Sequence, residues 1–118
     1  SVIIISSIAG VRGNKAIGLY GLSKAANAQL ARNLAVEWGP SNVRVNAISP
    51  GLIRTDFARP LLDDAKFLER RLALTPLRRA GTSREIAGVA VMLASAAGAF
   101  MTGQNVIVDG GTTIGDGS

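Results

Sequence analysis

The first ten residues read SVIIISSIAG, and they indicate the class of fold that the rest of the sequence extends. Val2 to Ile5 form an unbroken β-branched run that ends at the polar pair Ser6-Ser7. A strand that is apolar on both faces belongs inside a parallel sheet covered by helices on both sides. We therefore expect a strand over residues 2–5, followed by a glycine-rich loop over residues 9–19.

Beyond this strand, helical and extended patterns alternate. Apolar residues recur at three- and four-residue steps from Tyr20 to Trp38, which predicts a helix, and Gly39-Pro40 supplies a glycine cap followed by proline. Small residues that let another backbone approach this helix closely are Ala25, Ala26, Ala28 and Ala31. The other predicted elements are a strand at 43–48, a helix at 61–74, a helix from the capping box at 82–85 to about residue 96, and a strand at Asn105–Val108.

The order of these elements predicts an α/β fold. Strands that alternate with helices form a parallel sheet with right-handed crossovers. Three strands are too few to bury both faces of such a sheet, and one edge would stay open. The pattern therefore matches the C-terminal half of a doubly wound single domain that spans residues 1–118, with residues 112–118 as a mobile tail.

Composition argues against several kinds of site. The chain contains no cysteine and no histidine, so disulfides, a Ser-His-Asp triad and the usual zinc sites are unavailable, and we predict no metal. The lack of thiols fits a reducing compartment, and we predict a cytoplasmic protein. No apolar run reaches the ~20 residues of a membrane-spanning helix, so we predict no membrane partner.

The chain is basic, with a net charge of +5 from 13 basic and 8 acidic residues. Aromatic side chains that would stack on bases are scarce, so we predict no nucleic-acid partner. The basic residues are concentrated between Arg54 and Arg84. This pattern fits either a solvated surface or a substrate with a phosphate or carboxylate group.

Three features fall together at the carboxyl ends of the predicted strands, where doubly wound sheets bind their ligands. They are Ser7 after the first strand, Pro50-Gly51 after the second, and the start of the helix that carries Tyr20 and Lys24. Because Tyr20 and Lys24 stand four residues apart, they lie on one helix face, one turn from each other.

The pair has a chemical use. A free tyrosine is a poor acid or base at neutral pH, but a nearby ammonium stabilises its phenolate form. Tyr20 beside Lys24 would then donate a proton to a developing alkoxide, or accept one from an alcohol. The Ser7 hydroxyl would hold the substrate oxygen where charge develops.

Four motifs follow one another in a fixed order: SSIAG at 6–10, YGLSK at 20–24, VRVNAISPG at 43–51 and TGQNVIVDGG at 102–111. In this order and at these spacings, the chain resembles the short-chain dehydrogenase/reductase family from end to end. Ser7 stands thirteen residues before Tyr20, as the catalytic serine of that family does, which selects Ser7 over Ser6.

The resemblance implies a Rossmann-type fold and an NAD- or NADP-dependent oxidoreductase that interconverts a secondary alcohol and a ketone. Tyr20 is then the general acid/base, and Ser7 orients the substrate carbonyl. Lys24 is expected to stabilise the phenolate of Tyr20 and to bind the ribose hydroxyls beside the nicotinamide. The substrate is a small carbonyl or alcohol compound.

The resemblance also assigns residues to the cofactor pocket. Pro50 and Gly51 shape the wall beside the nicotinamide, while the Ile53 backbone and the Thr55 hydroxyl contact its carboxamide or the nearby phosphates. Thr55 followed by Asp56 is also typical of a plain helix cap, and that alternative stays open. Residues 56–77 correspond to the variable lid over the substrate.

Some family features are missing from the sequence. Neither the glycine-rich dinucleotide turn nor the catalytic asparagine is present, so we expect the N-terminal dinucleotide-binding half to be absent and the chain as given to be inactive alone. NAD and NADP are not distinguished. The alternative is a catalytically incomplete fragment that serves association, because the Tyr20 helix and the last strand of such enzymes commonly build homodimers and homotetramers.

The resemblance narrows the substrate only in part. The four-residue Tyr–Lys spacing disfavours the enoyl reductases of the family, in which that spacing is longer. A 3-oxoacyl thioester and a small alcohol or sugar both stay open.

Overall fold

A computed structural model describes residues 1–115. Within these residues the chain forms five strands and four α-helices. In chain order they are β1 (Val2–Ile5), α1 (Gly18–Trp38), β2 (Val45–Pro50), β3 (Ile53–Arg54), α2 (Arg59–Asp63), α3 (Ala65–Ala73), β4 (Gly81–Thr82), α4 (Ser83–Ala94) and β5 (Asn105–Val108). Single 3₁₀ turns lie at Ile8–Gly10, Gly39–Ser41 and Ala96–Gly98.

Three of the strands form a parallel sheet in the order β1-β2-β5. This arrangement confirms the predicted α/β fold. The central strand is β2, whose residues from Val45 to Ser49 are buried, whereas β1 pairs only with β2 within residues 1–115. A second, two-stranded parallel sheet joins β3 to β4.

Small side chains bring α1 onto the sheet. Ala31 and Ala35 are buried against Val45 and Ala47, because alanine lets a helix backbone approach the strands closely. Leu34 also packs against this cluster, whereas most other large apolar residues of α1 are exposed, including Leu22 at 69%. Of the alanines that we expected at a close contact, Ala28 and Ala31 are buried, whereas Ala25 and Ala26 are exposed.

Buried amides and hydroxyls fix β5 beside β2. The fully buried Asn46 donates from Nδ2 to the Met101 carbonyl at 2.8 Å and accepts from the Gln104 backbone N–H at 3.0 Å. Ser49 donates to Oδ1 of Asn105 at 2.7 Å. These bonds satisfy the polar groups inside the sheet, where an unpaired one would be costly, and so they select one register of β5 against β2.

Several predicted boundaries were wrong. Helix α1 ends at Trp38 with Gly39 as its cap, as predicted, but it begins at Gly18 rather than at Tyr20. The left-handed residue is Asn42, with φ of 59°, which ends the 3₁₀ turn after the helix. Asparagine tolerates this conformation better than most other residues. The second strand begins at Val45 and runs through Pro50, rather than spanning 43–48.

The helix predicted at 61–74 is two helices. Asp64 separates α2 from α3, because its extended backbone and its carboxylate cap α3 by accepting from the Phe67 N–H at 3.0 Å. The capping box of α4 is confirmed, with Thr82 and Glu85 bonded reciprocally.

The end of the chain begins with a bonded turn. Thr112 is buried, and its hydroxyl lies 3.0 Å from that of Thr75. Of the predicted tail, residues 116–118 lie outside the described part of the chain.

Candidate active site

The carboxyl ends of β1, β2 and β5 lie at one edge of the sheet, since the strands are parallel. Ser6-Ser7 follows β1, Gly51 follows β2 and Asp109 follows β5. Side chains that the sequence separates widely are thereby brought to the edge at which such sheets bind ligands.

The loop after β1 is docked on α1 through two glycines. An ideal Cβ at Gly10 would lie 2.5 Å from the Ala25 backbone nitrogen, and one at Gly21 would lie 2.8 Å from the Ala9 carbonyl oxygen. Real side-chain carbons do not approach so closely, so only glycine permits this contact at either position. The contact holds the turn that follows Ser7 against the first turns of α1.

Hydrogen bonds add to this docking. The buried Ser6 hydroxyl donates to the Lys24 carbonyl at 2.6 Å, which ties the end of β1 to α1. The Ser7 hydroxyl accepts from the Ala9 backbone N–H at 3.1 Å and thereby caps the 3₁₀ turn. Within residues 1–115 the Ser7 hydroxyl donates no hydrogen bond, so its proton is available to a ligand.

Tyr20 and Lys24 lie on the side of α1 that faces the sheet. They precede Ala28 at four-residue steps, and Ala28 is buried. The Lys24 Nζ lies 5.4 Å from the centroid of the Tyr20 ring and donates to the Ile5 carbonyl at 3.2 Å. Within residues 1–115 the Tyr20 hydroxyl makes no hydrogen bond, so its proton is available to a ligand.

Asn27 is a polar contact that the sequence analysis missed. Its Nδ2 donates at 3.3 Å to the Ile5 carbonyl that also binds Lys24. The sequence feature that could have identified it is an amide side chain three residues after Lys24, on the face of the helix whose alanines contact the sheet.

The residues predicted for the cofactor pocket follow β2. Pro50 pairs with Val108, and the Gly51 N–H donates to the Val108 carbonyl at 3.0 Å. Ile53 lies in β3, whereas the exposed Thr55 accepts from the Ala58 N–H at 3.3 Å. This last bond closes a turn before α2, whose N-cap is Ala58, so Thr55 is not the plain helix cap that was its alternative. Within residues 1–115 the Thr55 hydroxyl donates no hydrogen bond.

The segment predicted as a lid carries α2 and α3 beside an open concavity. The residues that line it are Arg54, Thr55, Asp56, Arg59, Leu62, Asp63 and Leu68. Arg59 is paired with Asp56 at 2.5 Å on the protein surface.

Two ionisable groups near the end of the lid have shifted pKa values. The hydrogen bond from Arg79, aided by the Thr82 backbone N–H, lowers the pKa of Glu85 from 4.5 to about 2. The same hydrogen bond and the charge of Glu85 raise the pKa of Arg79.

Comparisons with known proteins agree with this architecture. A sequence model of the family described as enoyl-(acyl carrier protein) reductase matches residues 1–113. A tropinone reductase homologue of Arabidopsis thaliana is 46% identical over 113 residues, which cover 96% of this chain and 44% of the relative. The chain belongs to the short-chain dehydrogenase/reductase family.

Two solved structures are similar along nearly the whole chain. The 4-hydroxyisoleucine dehydrogenase complexed with NADH superposes with a TM-score of 0.93 at 32% identity, covering 97% of this chain and 47% of that enzyme. A gluconate 5-dehydrogenase from Burkholderia cenocepacia, in complex with NADP and tartrate, gives 0.92 at 35% identity, with 95% and 44% covered. These neighbours establish the Rossmann-type fold, and enzymes of the family use NAD or NADP.

The chain spans less than half the length of these relatives. Among residues 1–115, no helix has the length and apolar character needed to cross a membrane.

Proposed function

We propose that this chain carries the catalytic part of an NAD- or NADP-dependent oxidoreductase that interconverts a secondary alcohol and a ketone. One observation supports the proposal above all. The Lys24 ammonium lies 5.4 Å from the Tyr20 ring centroid, on the helix to which the Ser7 loop is docked. A charged lysine beside a phenol with a free proton is a proton-transfer pair.

Each side chain then has a distinct role in the reaction. Tyr20 gives its proton to the substrate oxygen during reduction and takes it back during oxidation. Lys24 stabilises the phenolate that remains, and the Ser7 hydroxyl donates to the substrate oxygen as negative charge develops there. The cofactor, when bound, supplies or accepts the hydride.

The donors near the carboxyl edge suit a nicotinamide cofactor. Lys24 and Tyr20 offer N–H and O–H groups to ribose hydroxyls, and Thr55 offers one hydroxyl proton to a carboxamide or a phosphate. Pro50 and Gly51, which present little side-chain bulk, leave room for a flat ring. The Ile53 backbone completes the set that we assign to the cofactor.

Chemistry at a carbon–oxygen bond is favoured over reduction of a carbon–carbon double bond. The matching family model carries the description of an enoyl reductase, but the four-residue Tyr20–Lys24 spacing disfavours that activity. The solved neighbours named above are dehydrogenases of hydroxylated acids. We propose a small alcohol or ketone substrate, or a 3-oxoacyl thioester, and a cytoplasmic location remains a prediction.

Exposed apolar side chains favour a second role, in association. Leu19 is 84% exposed on α1 and Phe100 is fully exposed. These exposed apolar side chains fit the interfaces of a homodimer or homotetramer. A chain whose only role is association would form such interfaces without binding a cofactor.

Binding and turnover measured together separate the two roles. The protein expressed from its complete gene is titrated with NADH and NADPH by nicotinamide fluorescence, and is assayed with a panel of ketones and secondary alcohols. We expect saturable binding of one or both cofactors, turnover of at least one substrate, and weaker binding in Lys24→Met. A folded oligomer that binds neither cofactor would overturn the proposed activity and leave the association role.

A further inference from the structure

Both ends of the lid segment meet at one small sheet. The segment at 56–77 begins just after β3, and the chain then returns to β4, which pairs with β3 in parallel. The Gly81 N–H donates to the Leu52 carbonyl at 2.9 Å. Gly81 also packs against Ile53, because an ideal Cβ there would lie 2.7 Å from Cδ1 of Ile53. The position of β4 therefore determines the position of β3.

An ion pair spans β4 and joins the residues on either side of it in the chain. Arg79 stands just before β4, and Glu85 stands in the first turn of α4, just after it. Two separate bonds join them: Nη1 of Arg79 lies 2.9 Å from Oε2 of Glu85, and Nη2 lies 2.5 Å from Oε1. A two-point contact of this kind fixes direction as well as distance.

The same carboxylate is held from the other side by Thr82. Oε2 of Glu85 accepts from the Thr82 backbone N–H at 2.8 Å and from its hydroxyl at 3.2 Å. The Glu85 N–H returns a bond of 3.4 Å to the Thr82 hydroxyl. Although the Arg79 and Glu85 side chains are 49% and 42% exposed, these bonds hold Glu85 at several points, and it thereby links the end of the lid to the start of α4.

We propose that Arg79 and Glu85 are positioning residues that hold β4 against β3 and thereby fix Ile53 and Thr55 for the cofactor. This inference rests on the proposed function, because it assigns those two residues to the nicotinamide side of the pocket. Neither Arg79 nor Glu85 touches the reacting atoms. Their effect is on cofactor affinity, with the proton transfer of Tyr20 left unchanged.

The contributions of the Arg79 and Glu85 side chains can be measured separately by substitution. Arg79→Met removes the guanidinium and keeps a long side chain, while Glu85→Gln keeps an oxygen for the capping box and removes the charge. The double variant completes the cycle. Arg84→Met is the matched control, because it removes an exposed arginine next to Glu85 that makes no ion pair within residues 1–115.

Three quantities are measured on the protein expressed from its complete gene: the Kd of NADH and NADPH, the pH dependence of kcat, and hydrogen exchange at the Gly81 amide. We expect each single variant to raise the cofactor Kd about two- to fivefold, the range that exposed ion pairs allow. The double variant should bind the cofactor no more weakly than the single variant with the higher Kd. Gly81 exchange should speed up, the pH dependence of kcat should be unchanged, and Arg84→Met should match wild type.

Two results would overturn the inference. Unchanged exchange at Gly81 would mean that the ion pair does not hold the strands together. Faster exchange with an unchanged Kd would mean that the pair is structural only. If the wild-type protein binds neither cofactor, the proposed function fails, and the assignment of Ile53 and Thr55 to the cofactor fails with it. Faster exchange at Gly81 in the variants would then still show that the Arg79–Glu85 ion pair holds β4 against β3.

Discussion

Replacing Gly10 by alanine tests whether the docking of the Ser7 loop on α1 positions the site. The added Cβ would lie 2.5 Å from the Ala25 nitrogen and 2.6 Å from the Lys24 carbonyl carbon, where ordinary contact begins at 3.4 Å. Both neighbours are backbone atoms of a long helix, so no side chain can rotate away. The 3₁₀ turn must therefore move outward, by roughly the 0.9 Å that separates these distances.

Overpacking of this size typically costs about 1–3 kcal/mol, which lowers the Tm by about 2–12 °C in a domain of roughly 150–250 residues. Ser7 begins the turn that moves, and a displacement of about 1 Å at a reacting group can cost up to ~10²-fold in rate. We therefore expect Gly10→Ala to lower kcat/KM at least tenfold, with a smaller effect on cofactor affinity.

Calorimetry and steady-state kinetics on the protein expressed from its complete gene measure both effects. The matched control is Gly88→Ala in α4, where an added Cβ meets nothing within 4 Å. That variant should be more stable by about 0.5–1 kcal/mol, because alanine is the better helix former. A Gly10→Ala variant that keeps both the wild-type Tm and the wild-type kcat/KM would show that the close contact at Gly10 does not position the Ser7 loop.

Three further predictions concern the lid, the capping box and the lysine. Thr75→Val removes a buried hydroxyl that donates to the Arg71 carbonyl or to Thr112. It should lower the free energy of unfolding, measured by urea denaturation, by about 1–3 kcal/mol. The control Thr75→Ser, which keeps the hydroxyl, should be closer to wild type. Glu85→Gln should lower the Tm above pH 5, because the Glu85 carboxylate, whose pKa is lowered from 4.5 to about 2 in the folded state, stabilises the fold when it is ionised. The Tm difference from wild type should shrink as the pH falls from about 4.5 to about 2. A Tm difference that stays constant over this range would contradict the prediction. Lys24→Met should reduce both kcat and cofactor affinity, and a loss confined to kcat would remove its assigned role at the ribose.

Strong local patterns made part of the fold predictable. The β-branched run predicted a strand, and β1 forms there, but the expectation that it would be buried on both faces was wrong: β1 lies at the sheet edge within residues 1–115, and Ile5 is 50% exposed. The capping box correctly marked the start of α4. The four-residue step from Tyr20 to Lys24 placed both side chains on one helix face. Each of these signals lies within a few neighbouring residues, where local chemistry decides the structure.

Contacts between distant segments were not predictable. The strands β3 and β4 have two residues each, too few for an alternating pattern, and they exist because the Gly81 N–H reaches the Leu52 carbonyl. The larger apolar residues of α1, such as Leu22, were as good a candidate as its alanines for the sheet-facing side. In the structure the alanines face the sheet, because their small side chains let the backbone of α1 lie close to the strands.

The turnover of Tyr20→Phe tests the central claim most directly, since this change removes only the hydroxyl and keeps the ring. The protein is expressed from its complete gene, and a substrate deuterated at the transferred hydrogen establishes that chemistry limits the rate. We expect kcat to fall by about 10²- to 10⁴-fold, while the cofactor Kd rises by no more than about tenfold, the effect of one lost hydrogen bond to the ribose. A Tyr20→Phe variant that keeps more than about a tenth of wild-type turnover under these conditions would contradict this expectation, because another group would then be the acid.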